Sequence, residues 1–101
     1  MGSECGKYDA RAWFVSDESD GASKLYVQSP DCLGNLFAVV TAIVGARLKI
    51  LEAGATVADG FALDWFLVRA ADGRPMTPAR RDEIRGDVLA AIHASWRRGA
   101  A

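Results

Sequence analysis

The hydrophobic period of the chain changes within one run of nine residues, Ser29-Pro30-Asp31-Cys32-Leu33-Gly34-Asn35-Leu36-Phe37. Before this stretch, residues 24–28 alternate apolar and polar side chains, which is typical of a half-buried strand. After it, residues 36–44 place apolar side chains at helical spacing. The sequence therefore predicts a strand that turns at Gly34 into an apolar helix.

The turn between that strand and that helix is the predicted binding site. Asp31 suits a turn and Asn35 suits a helix cap, while Gly34 allows the backbone to approach a neighbour closely. The amide groups at a helix start carry partial positive charge and suit a carboxylate or a phosphate. An ordinary turn without a ligand has the same local sequence, so this motif alone leaves the presence of a ligand open.

Composition predicts one small domain without a polyanionic partner. The chain has 101 residues, of which 50% are hydrophobic, which is enough for one core. Its 12 Lys and Arg nearly balance 13 Asp and Glu, so we expect no nucleic acid and no membrane as partners. The apolar run 36–46 is too short to span a bilayer, and the polar residues 1–9 do not resemble a signal peptide. We therefore expect a cytoplasmic protein.

The cysteines and the histidine predict neither a metal site nor a redox centre. Cys5 and Cys32 are separate thiols without C-x-x-C spacing, and His93 is the only histidine. We expect no metal ion and no cofactor, and we interpret Cys32 as a small loop residue.

The rest of the chain predicts two hairpins and a second helix. A charged turn closes at Gly21 and joins two antiparallel strands, and Asp59-Gly60 is a strong signal for a second hairpin. Thr77-Pro78 is a typical helix start. The predicted strands cover about 11–16, 23–29, 48–57 and 61–70, and the predicted helices about 34–46 and 78–97. We assign residues 11–98 to the domain, 1–10 to a disordered N-terminus and 99–101 to a tail.

Two predictions concern the faces of the third and fourth strands. Small residues on one face of the third strand should allow a helix to pack closely; they are Leu51, Ala53, Ala55 and Val57. Residues 61–68 of the fourth strand are apolar on both faces, apart from Asp64. Because two helices cover only one face of a sheet, the other face should contact a protein partner. The predicted interface residues are Leu63, Trp65 and Leu67.

From Ser23 to Trp96 the chain resembles an ACT domain, and in particular the ACT repeats of bifunctional uridylyltransferase/uridylyl-removing enzymes that modify the nitrogen-signalling PII protein. In that family a strand ends in Asp-x-Pro-Gly-Leu-Phe, and the matching run here is residues 31–37. The second hairpin and its following loop, residues 59–75, extend the resemblance. Leu33 stands where the family usually has proline, and Asn35 where it has leucine.

The resemblance implies a fold and a function. The fold is α+β and ferredoxin-like, with the order ββαββα and two helices on one face of a four-stranded antiparallel sheet. The first strand would replace the last strand of the usual ACT order. The function is a regulatory module without catalytic activity, which binds a small amino acid, glutamine, as a homodimer or beside a second ACT domain. The ligand-binding residues would be Asp31, Leu33, Gly34, Asn35 and Leu36.

Two other classes of function remain open at this point. One is a structural protein-protein interaction module without a small-molecule ligand. The other is a small acylphosphatase-like enzyme or an RNA binder on the same fold. The enzyme would need a cationic phosphate cradle, but no Arg or Lys lies between Lys24 and Arg47. An RNA binder would need aromatic residues in a basic field, and Trp65 meets only the first condition.

Overall fold

The computed structural model describes residues 9–16, 21–30, 32 and 34–100. These residues form four strands and two helices in the order ββαββα, as predicted. The strands are β1 (Arg11–Ser16), β2 (Ser23–Pro30), β3 (Leu48–Ala58) and β4 (Phe61–Ala70), and the helices are α1 (Asn35–Gly45) and α2 (Pro78–Ala100).

The strands form one antiparallel sheet in the order β1-β2-β4-β3. In the ferredoxin-like order βαββαβ, the last strand comes after the second helix. Here β1 lies beside β2 at the sheet edge, and Arg11 to Ser16 pair with Gln28 to Ser23. The predicted ferredoxin-like fold is therefore confirmed, and so is the substitution of a C-terminal strand by β1.

The second hairpin has the predicted two-residue turn. Asp59 and Gly60 both have positive φ values, 54° and 79°, and Ala58 pairs with Phe61 on either side of them. Two successive positive φ values match the twist of a tight hairpin and favour Asp-Gly.

The core lies between one face of the sheet and the two helices. The sheet contributes Leu25, Val27, Phe66 and Val68, and the helices contribute Val39, Ile43, Ile84, Val88 and Ile92. Ile84, Val88 and Ile92 are spaced four residues apart on α2 and are all fully buried, as the helical period predicts.

The prediction that a helix covers Leu51, Ala53, Ala55 and Val57 is wrong, because all four are exposed. A register shift between Ile50 and Glu52 sets Leu51 out of the strand alternation. Both β3 and α1 have 11 residues. A strand rises about 3.3 Å per residue and a helix about 1.5 Å, so α1 is too short to cover the length of β3.

Within the described residues, neither helix combines the length and hydropathy needed to cross a membrane.

Candidate ligand-binding loop

The predicted binding loop connects β2, a central strand, to α1. Pro30 ends β2, is buried, and pairs with Phe61 at the start of β4. Asp31 and Leu33 lie outside the described residues, whereas Gly34, Asn35 and Leu36 lie within them. Three of the five predicted ligand-binding residues can therefore be located.

Gly34, and not Asn35, is the N-cap of α1. Its φ of 91° lies in the left-handed region, which favours glycine, and no side chain caps the helix. A Cβ atom at this position would lie 3.0 Å from the hydroxyl oxygen of Ser95 on α2. The predicted close approach at Gly34 is therefore confirmed, and the prediction that Asn35 caps the helix is wrong.

The Asn35 side chain points into the protein and joins three elements. Its amide nitrogen donates to the Pro30 carbonyl at 2.8 Å and to the Ser29 hydroxyl at 3.3 Å. Its amide oxygen accepts from the indole N–H of Trp96 at 2.7 Å. Asn35 is 5% exposed. Its side chain therefore holds the loop between β2, α1 and α2, and does not face solvent.

Ser29 and Trp96 are the partners that sequence reasoning missed. Trp96 is separated from Asn35 by 61 residues, so no local spacing indicates their contact. A buried amide needs hydrogen-bond partners, but this requirement identifies them only after the burial of Asn35 is known.

The start of α1 has no acidic neighbour within the helix. Its first turn contains no Asp or Glu, and none of its residues, Asn35 to Gly45, is charged. The first amide groups of a helix have no partner within the helix and carry partial positive charge. The backbone amide of Asn35 already donates to the Cys32 carbonyl at 3.2 Å. A carboxylate at this helix start would therefore bind the amides that follow Asn35, beside Leu36, which is 56% exposed.

A cavity of about 470 Å³ lies at the end of the sheet opposite the candidate loop, where Leu48 pairs with Ala70. Its lining includes Arg47, Arg74 and Arg80. The Arg80 guanidinium donates to the Ala46 carbonyl at 2.9 Å and forms an ion pair with Glu83. Its charge is therefore partly neutralised within the protein. Sequence reasoning did not identify this cavity, because its lining comes from separate turns.

The open sheet face carries the three predicted interface residues, and each is half-buried. The register aligns Trp13, Tyr26, Trp65 and Gly54 in one row across the four strands. The indole of Trp65 occupies the space that a Cβ at Gly54 would take. The row is held further by stacking of Trp13 on Tyr26, with centroids 5.5 Å apart, and by the Lys24 ammonium 4.5 Å from the Trp65 centroid. Neighbours in the same chain thus cover part of this face, and its contact with a partner stays a prediction.

Cys32 is disulfide-bonded, so its interpretation as a separate thiol is wrong. The other cysteine of the chain, Cys5, lies outside the described residues. Among the described residues, no group of three or more His, Cys, Asp and Glu could hold a metal ion.

The fold and the loop define a small ferredoxin-like α+β domain with an uncharged helix start beside a central strand. The chain is 34% identical over 83 residues to a bifunctional uridylyltransferase/uridylyl-removing enzyme of Idiomarina loihiensis. The match covers 78% of this chain but 9% of that enzyme, so the similarity concerns a small part of a larger protein. No family model matches the chain. No solved structure matches it either.

Proposed function

We propose that this chain is a non-catalytic regulatory module of the ACT type, which binds glutamine in the cytoplasm and reports nitrogen status. The geometry of the loop at Gly34 is the observation that carries the proposal. A left-handed glycine leads from a central strand directly into a helix start without acidic residues. The relation to a uridylyltransferase/uridylyl-removing enzyme supports the same reading, because the matched segment is a small part of that enzyme.

The loop can bind both charged groups of an amino acid, its carboxylate and its amino group. The amides at the start of α1 would hold the carboxylate, and the Asp31 carboxylate would hold the amino group. Leu33 and Leu36 would close over the ligand. The side chain of Asn35 would act indirectly, since it is committed to Pro30, Ser29 and Trp96.

Regulation would follow from linkage between ligand binding and pairing. A ligand that binds better to one arrangement of two paired modules increases the population of that arrangement. The pair can be a homodimer or two ACT units side by side. In a larger enzyme, or in a complex with one, this shift would bias the attached catalytic domains.

A second candidate function is an interaction module without any small-molecule ligand. The exposed apolar side chains of α1 favour it, because Phe37 is 76% exposed and Val44 is 59% exposed. Apolar surface of this kind marks protein contacts on many soluble proteins.

Calorimetric titration and thermal unfolding with each common amino acid separate the two functions. We expect saturable heat with glutamine, and a ligand at about 100 times its Kd should stabilise the fold by about 2.7 kcal/mol. Asp31→Ala should abolish the heat, whereas Asp87→Ala, an exposed carboxylate on α2, should not. A folded wild-type chain that gives no heat with any amino acid would leave the interaction module as the function.

The cytoplasmic part of the proposal has its own test, because Cys32 is disulfide-bonded and disulfides are rare in cytosolic proteins. We expect fractionation of cells to recover the protein in the cytoplasmic fraction. Recovery from the periplasmic or secreted fraction would contradict the cytoplasmic assignment.

A further inference from the structure

The outward side of α1 is an unusual surface for a helix that faces solvent. Surface helices normally carry charged residues on the face opposite the core. α1 contains none, and its outward residues are apolar apart from one threonine. We define the α1 surface as Leu36, Phe37, Val40, Thr41 and Val44. Phe37 is its most exposed member, at 76%.

A shallow groove lies directly beside Phe37, between α1 and α2. Its volume is about 240 Å³. Apart from Phe37 at its rim, it is lined by small side chains, namely Ala38, Thr41, Ala42, Ala91 and Ala94. The same surface thus presents a large protruding ring and a recess with small walls.

We propose that the α1 surface pairs two copies of this chain about a two-fold axis, with Phe37 of each copy in the groove between α1 and α2 of the other. A two-fold interface uses the same patch on both copies, so the patch must contain both the protruding group and its recess. Phe37 and the adjoining groove meet this condition. The α1 helix itself carries no charged residue, so the two α1 helices bring no like charges together.

The open sheet face is a poorer surface for a second copy. The strand register places Arg11, Lys24, Lys49 and Arg69 on that face with one acidic residue, Glu52. Two such faces in contact would oppose like charges, which disfavours association. Leu63, Trp65 and Leu67 on that face are already half-buried. Its exposed apolar residues, Trp13 at 38% and Val15 at 47%, are less exposed than Phe37.

The pairing would bring the two candidate ligand loops towards each other. Leu36 belongs to the α1 surface and follows Gly34 and Asn35 directly in the chain. The contact itself needs no ligand. Failure of amino-acid binding and failure of pairing would therefore be separate results.

Sedimentation equilibrium of the chain over a range of concentrations tests the pairing. We expect a dimer for the wild type. Phe37→Asp and Val44→Asp should each weaken it by at least about 30-fold in Kd, the size of an interface hot spot. Val57→Asp is the matched control, because Val57 and Val44 are both 59% exposed but Val57 lies on β3. It should leave the dimer unchanged.

Circular dichroism and thermal unfolding would verify that all variants remain folded, which we expect for the changes at Phe37, Val44 and Val57 because these residues are exposed. Only a Trp65→Asp variant that passes this check is compared with the others. A wild type that stays monomeric at several hundred micromolar would overturn the proposal. A dimer that survives both α1 substitutions but is lost in Trp65→Asp would overturn it as well, in favour of the sheet face. Equal weakening by Val57→Asp would show that the effect is not specific to α1.

Discussion

Replacing Asn35 by alanine should remove a large share of the stability of this domain. The side chain makes hydrogen bonds to Pro30, Ser29 and Trp96, with lengths of 2.8, 3.3 and 2.7 Å. A hydrogen bond contributes about 1 kcal/mol net, and a buried group left without a partner costs about 1–3 kcal/mol. The better helix propensity of alanine offsets about half a kcal/mol. We therefore expect a loss of about 2–4 kcal/mol, from a total that is typically about 5–15 kcal/mol for a domain.

Urea unfolding followed by far-UV circular dichroism measures this loss. Thr41→Ala, an exposed change on the same helix, is the control and should stay within about 0.5 kcal/mol of the wild type. A double-mutant cycle with Trp96→Phe should give a coupling of about 1 kcal/mol between the amide and the indole. If Asn35→Ala costs less than about 0.5 kcal/mol, the side chain does not hold the three elements together.

Three further predictions test other parts of the fold. Gly54→Ala should displace the Trp65 indole, lower the free energy of unfolding by about 1–3 kcal/mol and shift the tryptophan emission to the red. Gly45→Ala is its control, because a Cβ there has no neighbour within 4 Å. Equal stability of the two variants would contradict the contact between Gly54 and Trp65. Gly34→Ala should cost about 1–3 kcal/mol in thermal unfolding, because its φ of 91° strains any other residue, and an unchanged melting temperature would argue against the left-handed cap. Deleting residues 1–18 removes β1 and exposes the edge of β2, so light scattering should detect aggregation, whereas a stable monodisperse product would show that β1 is dispensable.

The order and pairing of the strands and helices could be predicted from the sequence, because sequence patterns within each short segment indicate the structure that the segment forms. The change of period across residues 29–37 separates β2 from α1, and Asp59-Gly60 sets the second hairpin. Two hairpins and two helices leave β1 one place in a ferredoxin-like sheet, at the edge beside β2. Each of these signals depends on residues close together in the chain.

The exposure of β3 and the orientation of Asn35 could not be predicted from the sequence in the same way, because both depend on residues far apart in the chain. The exposure of β3 follows from the relative lengths of a strand and a helix and from the register shift at Leu51. The orientation of Asn35 depends on Trp96, 61 residues away. The spacing identified Asn35 as a cap residue, but the glycine before it takes the cap and leaves the amide free to turn inward. The spacing therefore predicted the turn from strand to helix correctly but not the orientation of Asn35, and ligand binding at this turn stays a prediction.

A residue-resolved NMR titration with glutamine measures the proposed binding of an amino acid at the loop that contains Gly34. The proposed binding predicts saturable shifts that are largest for the amides of Gly34, Asn35 and Leu36, with smaller shifts on the facing turn of α2 near Ser95. A folded chain whose spectrum does not change at millimolar glutamine would contradict it. So would shifts confined to the other end of the sheet, at Arg47 and Arg74.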